Sequence, residues 1–450
     1  MKLERVAFHI FSEKVSYHCS FREDTSLVER RTPIPVRDAV NKIMDHVHRN
    51  GEVEYVAIDE CLGRYLGEPL KADHDVPPFD RSPYDGFALR SEDTQGASSD
   101  EPVTLEVIEE IGAGTVAKAT LQAKQAIRIM TGAQIPNNAD AVIMLELVKE
   151  IHENGKTYIQ VKRKVASGDN ISRQGEDVKN GSVLLDKGTK INEGTVALLA
   201  TFGYAKVPVF KKPVVGIIAT GSELLEVNQP LEPGKIRNSN GYMIAAQIQK
   251  LGAEPKFYGK LADDFDTCFE KIKQTLAEVD VLVTTGGVSV GDFDHLPAIY
   301  KKLEAEVLFN KIAMRPGSVT TVAVKDGKFL FGLSGNPSAC FVGFELFARP
   351  AILSLVEADF VHLQKEKAIL DKDFPKPNPF TRFVRSRVSI EGGKLMVSPV
   401  GLDKSGVVSS IAYANALLML PGGTRGFERG MEVEVLLLNG EGSTSTWEKE

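Results

Sequence analysis

The chain has 450 residues, 42% hydrophobic and 26% charged, with a formal net charge of −7 at pH 7. At about 150 residues per domain, that is roughly three domains of ordinary globular composition. No stretch approaches the ~18 uncharged apolar residues of a membrane span, and the acidic balance gives no general pull on nucleic acid, so an anionic ligand would need a local cluster of basic groups and N–H dipoles.

Residues 1–30 are interrupted by charge every few positions and lack the apolar core and cleavage site of a secretory signal, so they read as an N-terminal extension without fixed structure. His9, His18 and Cys19 there match no common metal spacing. The four cysteines (Cys19, Cys61, Cys268, Cys340) show no C-x-x-C pair, which fits a reducing compartment rather than a disulfide framework. Next, "TPIPVRDAVNKIMDHVHRNG" predicts an amphipathic helix from Val36, Ala39, Val40, Ile43, Met44 and Val47, with Gly51 at its end. His46 and His48, two apart, diverge on that helix.

From about 56 to 169, short runs such as "VTLEVIEEI", "AIRIMTG", "AVIMLELV" and "TYIQVKRKV" predict a β-rich domain. Two of its loops are unusually rich in polar chemistry. One carries Asp80, Ser82, Asp85 and Gly86, and the other places Thr131 and Gly132 directly after a strand. Residues 170–210 read as a polar linker ending in a short helix.

From 211 to 357, β-branched runs alternate with amphipathic helices, which predicts a doubly wound, mostly parallel α/β sheet. Ser239 and Asp266 read as N-caps and Gly252 as a C′ glycine. Three strand ends carry glycine loops on one rim: Thr220-Gly221-Ser222-Glu223, Thr285-Gly286-Gly287-Val288-Ser289 and Ser334-Gly335-Asn336-Pro337. Beyond 375, "RFVRSRVSI", "KLMVSPV", "ALLMLP" and "MEVEVLLL" predict a small C-terminal β-barrel or sandwich within 358–450.

Gly287-Val-Ser289-Val-Gly291 fits the G-x-S-x-G elbow of a serine hydrolase. However, Asp294 and His295 follow too closely for a triad, and His362 is the only later histidine. An extended phosphate-bearing ligand would use all three loops. The nearby carboxylates Glu223, Asp263, Asp264, Asp292 and Asp294 suit Mg²⁺ shared with phosphate oxygens. Lys311 and Arg315, four apart, supply counter-charge, and Arg385 and Arg387 share one face of a strand by period two.

The strings "FDRSPYDGFA", "MTGAQIP", "RQGED", "TGSEL", "TTGGVSVGDFD", "MRPG" and "SGNPSA", in this order, resemble the molybdopterin molybdenumtransferase (MoeA/gephyrin E-domain) family over residues 31 to 440. The resemblance implies a multidomain α/β and β fold: an α/β domain that binds molybdopterin, the β-rich domain inserted into an elongated linking domain (31–55 and 170–210), and a C-terminal β-barrel. It implies a cytoplasmic enzyme that takes adenylylated molybdopterin and molybdate, hydrolyses the adenylate with Mg²⁺ and inserts molybdenum, working as a homodimer.

By the same resemblance Asp85 and Thr131 reach in from the partner subunit, Glu223, Asp263 and Asp294 are rim carboxylates, and Lys311 and Arg315 are the family's basic pair. Asp294 and Asp263 would hold the metal, and Asp294 alternatively orients the attacking water. Gly221, Ser222, Gly286, Gly287, Ser289, Gly335, Asn336 and Pro337 would cradle the pterin nucleotide. Molybdate would meet Arg315, Ser318, Ser338, Arg385 and either Ser409 or Ser410. The sequence departs from the family pattern at Ser318, where a lysine is usual, and at Ser334, where a proline is usual. Two other readings are a non-catalytic pterin-binding scaffold of the same fold and a hydrolase acting through Ser289.

Overall fold

The computed structural model of the protein describes residues 31–49, 51–261, 264–287 and 295–444. The extension 1–30 and the positions Asp263, Ser289, Asp292 and Asp294 lie outside the described residues.

The first helix, Val36–Asp45, buries Val36, Ala39, Val40 and Ile43, the i, i+3, i+4, i+7 stripe expected of it, and ends short of Gly51. Strand Val53–Ala57 then pairs antiparallel with Lys206–Phe210, and Leu70–Lys71 with Val183–Leu185. Helix Glu193–Thr201, capped by the Asn192 side chain accepting from the Thr195 N–H, covers this linking domain, and Cys61, Leu66, Leu199 and Val209 share its core. Because early and late segments pair here, the chain between them forms a separate body.

That body is a six-stranded mixed sheet in the order Ala141–Met144, Gly86–Leu89, Gln125–Ile129, Val103–Ile111, Lys156–Val161, Val148–Glu153. Alternation serves two cores: Phe87 and Leu89 enter one, and Ala88 between them enters the other.

The α/β domain has a six-stranded sheet ordered Glu254–Lys260, Val214–Ala219, Val281–Thr285, Lys328–Leu333, Thr321–Lys325, Glu306–Phe309. The first four run parallel, and Thr321–Lys325 is antiparallel to both of its neighbours. Val281 and Val283 face a core shared with helix Ser239–Lys250, whereas Leu282 faces one shared with helix Phe265–Glu278. The sheet is therefore covered on both faces, which is why its strands read as unbroken apolar runs.

The N-caps fall one and two residues earlier than the sequence suggested. Asn238, not Ser239, accepts from the Gly241 N–H, and Asp264, not Asp266, accepts from the Thr267 N–H. In each case the cap oxygen needs a donor three residues on. Gly252 is the C′ residue at φ +80°, with the Ala253 N–H returning to the Ile248 carbonyl, as a Schellman end requires.

Residues Pro337–Leu355 form one helical run that is long and apolar enough to cross a membrane by composition alone, yet 94% of its apolar window is buried inside the protein. It is the central core helix and packs against both the first helix and the sheet.

The C-terminal domain closes into a five-stranded ring, Thr381–Glu391, Lys394–Pro399, Gln364–Leu370, Glu432–Leu437 and Ala416–Leu420, with the last pairing back to the first. Gln364–Leu370 was not legible as a strand because Lys365, Glu366 and Lys367 interrupt its alternation. Lys367 is exposed and Lys365 and Glu366 are half-buried, whereas Ala368 and Leu370 turn into the barrel.

Candidate functional site

The three glycine loops leave the carboxyl ends of adjacent parallel strands, 214–219, 281–285 and 328–333, and so converge. At Gly286, φ is +91° and an added methyl would lie 2.4 Å from Thr220 Oγ1. The Gly286 N–H donates to the Leu333 carbonyl at 2.8 Å, and a methyl on Gly335 would lie 3.6 Å from Gly286 Cα, so the second and third loops touch backbone to backbone. The Asn240 side chain donates to the Gly335 carbonyl at 2.8 Å, while its Oδ1 is buried without a partner among the described residues. Glu223 folds its carboxylate over Gly221, where φ is +131° and a side chain would clash with it. Lys235 Nζ donates to the Ser222 carbonyl at 2.6 Å, fixing that loop's backbone. Pro337 opens the core helix directly after Asn336.

In the inserted domain the two polar loops meet. Asp85 Oδ1 accepts from the Thr131 N–H at 2.7 Å and from its hydroxyl at 2.9 Å. These bonds hold the Asp85 carboxyl below its usual range. Asp80 accepts from the Gln174 N–H at 2.8 Å and from Arg173 Nη1 at 2.7 Å, which joins "FDRSPYDGFA" to "RQGED" and lowers the Asp80 carboxyl as well. All these partners belong to the inserted and linking segments.

Between the α/β domain and the barrel lies a cavity of about 350 Å³ whose wall includes Arg315, Ser318, Ser334, Asn336, Arg382, Arg385, Asp403 and Lys404. Its deepest basic group is Arg385, 1% exposed. Arg385 Nε donates to Ser410 Oγ at 3.2 Å, and Nη2 donates to the Leu402 and Lys404 carbonyls at 3.2 Å. Among the described residues Nη1 has no hydrogen-bond partner, and it stands 3.5 Å from Asp403 Oδ1. Burial pushes the Arg385 guanidinium below its ordinary value, and the charge of Asp403 opposes that. Arg382 Nη1 reaches the other carboxylate oxygen of Asp403 at 2.7 Å, and Lys376 Nζ lies 3.3 Å from it. One carboxylate therefore faces three cations, leaving an excess of positive charge that suits an oxyanion.

The residues anticipated for molybdate are only partly gathered here. Arg315, Ser318 and Arg385 line the cavity. Ser338 sits behind it, fully buried, donating to the Val407 carbonyl at 2.6 Å. Of the two candidate serines, Ser410 contacts Arg385, whereas Ser409 is exposed. Lys311 is not among the lining residues; its carbonyl accepts from the Ile34 N–H at 3.1 Å. Arg387 is exposed, because the strand leaves the domain contact after Ser386. The residues that sequence reasoning passed over are Arg382, Asp403 and Lys404. Arg382 was visible in "TRFVRSRV", but a strict period of two selects Arg385 and Arg387, and nothing in "GLDKSG" announces that it folds back across the strand end. Among the described residues, no group of three or more His, Cys, Asp or Glu side chains forms a metal cluster.

A nucleotide-type rim beside a cation-lined pocket, on an α/β domain carrying an inserted β body and a terminal barrel, defines a multidomain protein that handles a phosphorylated substrate together with an oxyanion. Family models of the MoeA N-terminal region (domains I and II), a probable molybdopterin binding domain and the MoeA C-terminal region (domain IV) match residues 34–203, 216–354 and 367–438. The chain is 59% identical over 422 residues to the molybdopterin molybdenumtransferase of Bacillus subtilis, covering 94% of this chain and 98% of that one. It is 51% identical over 411 residues to that of Staphylococcus aureus strain Mu50, covering 91% of this chain and 97% of that one. The crystal structure of the molybdopterin biosynthesis MoeA protein from Pyrococcus horikoshii OT3 superposes with a TM-score of 0.78 at 36% identity, covering 90% of this chain and all of that one. The chain belongs to the MoeA family of molybdopterin molybdenumtransferases, enzymes of molybdenum cofactor biosynthesis.

Proposed function

We propose that the protein inserts molybdenum from molybdate into adenylylated molybdopterin, with hydrolysis of the adenylate to release AMP. The observation that carries this reading is the continuity between the glycine rim and the cation pocket through Ser334 and Asn336, which belong to the third loop and also line the cavity. A nucleotide held on the rim would reach its dithiolene end toward a molybdate held by Arg315, Arg382 and Arg385.

In this reading N–H groups of the loops that hold Gly221, Gly287 and Gly335 orient the phosphates, Gly286 shapes the turn while its own N–H stays on the Leu333 carbonyl, and Ser222, Ser289, Asn336 and Pro337 complete the cradle. Arg382 supplies the positive charge that Ser318 lacks relative to the family pattern. Ser338 and Ser410 act behind the pocket by holding the barrel loop and Arg385 in place. The candidate donors are carboxylates, which fit a hard cation: Asp263 and Asp294 would hold Mg²⁺, which when bound neutralises phosphate charge, and Glu223 is the third carboxylate of the set. Asp294 alternatively orients the attacking water. Lys311 contributes long-range charge. The protein works in the cytoplasm as a homodimer, with the Asp85 and Thr131 pair offered to the rim of the opposite subunit, since their bonds here tie them only to their own domain.

The test is AMP release from adenylylated molybdopterin, with and without molybdate and Mg²⁺, in the wild type and in Asp294→Ala. Molybdate-dependent release that the substitution abolishes supports the proposal. Tight nucleotide binding without release supports a non-catalytic pterin-binding scaffold. Labelling of Ser289 by a fluorophosphonate supports a hydrolase.

A further inference from the structure

A second cavity, of about 600 Å³, opens where three domains meet, away from the glycine rim. Its walls come from the linking domain (Leu62, Gly63, Tyr65 and 188–193), the α/β domain (Lys250, Leu251 and Arg349) and the C-terminal domain (358–360 and 438–441). Three cations line it. Arg349 is 7% exposed, and its Nε is buried without a partner; its only carboxylate within salt-bridge range among the described residues is the buried Glu345, at 3.7 Å. Lys250 Nζ donates to the Leu438 carbonyl at 2.6 Å and to Asn439 Oδ1 at 2.8 Å, so its charge meets neutral oxygens. Lys190 Nζ lies 5.9 Å from the centre of the Tyr65 ring. Among the described residues, neither lysine has a carboxylate within 4.0 Å. The other lining carboxylates, Glu193, Asp359 and Glu441, are exposed, as Lys190 and Lys250 are, and among the described residues none stands within 4.0 Å of the three cations.

A cluster serving only to join the domains would place a carboxylate between the lysines. Instead, burial pushes both ammonium groups below their ordinary values, with Arg349 adding to it at each and the Glu345 charge opposing it at Lys250, a cost that an incoming anion would offset. Within the cluster itself three cations meet one carboxylate, Glu345, while Glu193, Asp359 and Glu441 balance the formal charge of the lining as a whole. The same lining is also apolar and aromatic, with Leu62, Tyr65, Leu251, Phe360 and Leu438.

We propose that this cavity is a binding site for a small organic phosphate monoester, its dianionic head held by Lys190, Lys250 and Arg349 and its body lying against Tyr65 and Phe360. Because its contacts come from three domains, the occupant clamps the linking domain and barrel onto the α/β domain, and binding is coupled to their relative position.

The probe is phenyl phosphate, titrated calorimetrically and by thermal shift, with inorganic phosphate in parallel. The wild type is expected to bind phenyl phosphate several-fold more tightly than inorganic phosphate and to melt at a higher temperature with it. The exposed double substitution Lys190→Ala with Lys250→Ala is expected to weaken binding by at least about tenfold, as loss of charge-assisted hydrogen bonds requires. Arg382→Ala, in the other cavity, is expected to leave this binding unchanged. Absence of binding up to millimolar probe, binding undiminished in the double variant, or binding lost in Arg382→Ala alone would each overturn the proposal. Should the double variant fail to fold, Lys190→Gln alone gives the same comparison. None of these outcomes depends on AMP release, so this site and the transferase reading stand or fall separately.

Discussion

Arg385 Nη1 points at Asp403 Oδ1 across 3.5 Å without completing a hydrogen bond, inside a wall where Arg385 is 1% exposed. Asp403 is thus the resident anion of a pocket otherwise built from cations, and Arg382 and Lys376 share it. An incoming oxyanion must coexist with that carboxylate. Replacing it by the isosteric amide in Asp403→Asn keeps an acceptor for Arg382 but removes the competing charge. Tighter molybdate binding is expected by equilibrium dialysis, together with a lower melting temperature, because a buried cation loses its counter-ion. Weaker molybdate binding would show that Asp403 works only by positioning the arginines.

Ser318 and Arg382 line the same cavity, so a positive charge placed at either position would act there interchangeably to first order. Arg382→Ala is expected to weaken molybdate binding by about tenfold, the effect of one charge-assisted contact. Ser318→Lys should tighten binding in the wild type and restore most of what Arg382→Ala loses. Failure of that rescue in dialysis would separate the two positions and count against Arg382 as the substitute charge.

Gly86 admits no side chain. A methyl there would stand 2.1 Å from the Ile143 carbonyl oxygen, which belongs to the neighbouring strand and cannot rotate away. Gly86→Ala is expected to cost at least ~3 kcal/mol, the upper end for forcing one methyl into a packed interior. Urea denaturation followed by circular dichroism should show an earlier transition, and a midpoint equal to the wild type would contradict the packing.

His362 is 4% exposed, and burial, with the Arg349 charge second, pulls its pKa down to about 4. The folded state thus holds the imidazole neutral, whereas the unfolded chain protonates near 6.5. Its contribution is fully present above pH 6.5 and is lost as pH falls from there toward 4, by at most ~3 kcal/mol. His362→Gln should flatten the pH dependence of the melting temperature between pH 6.5 and 4. An unchanged slope would place the acid sensitivity elsewhere.

Much of the fold was legible in the residues. The stripe Val36, Ala39, Val40, Ile43 specifies one buried helix face, and runs such as "DVLVTTGG" specify strands covered on both sides, because hydrophobic periodicity records which surface must leave water. The glycine loops were legible for a similar reason: Gly221 and Gly286 occupy positive φ beside groups that a side chain would strike, so only that residue type fits. The caps were missed by one or two positions because Ser239 and Asp266 are equally good cap residues, and only backbone direction selects Asn238 and Asp264.

By itself, then, the sequence determined the elements, the parallel order implied by alternating strand and helix, and the family signature in the loops. Those properties are local: a helix face, a turn or a glycine is dictated by neighbours a few residues away. The tertiary structure alone decided that Arg382, rather than Arg387, shares a pocket with Arg385, that Asp403 lies between them, and that Lys190, Lys250 and Arg349 crowd one cavity. Charges separated by tens or hundreds of residues carry no periodicity that links them; they meet only because buried apolar faces dock the domains in one arrangement, and the electrostatics of both cavities follows from that docking.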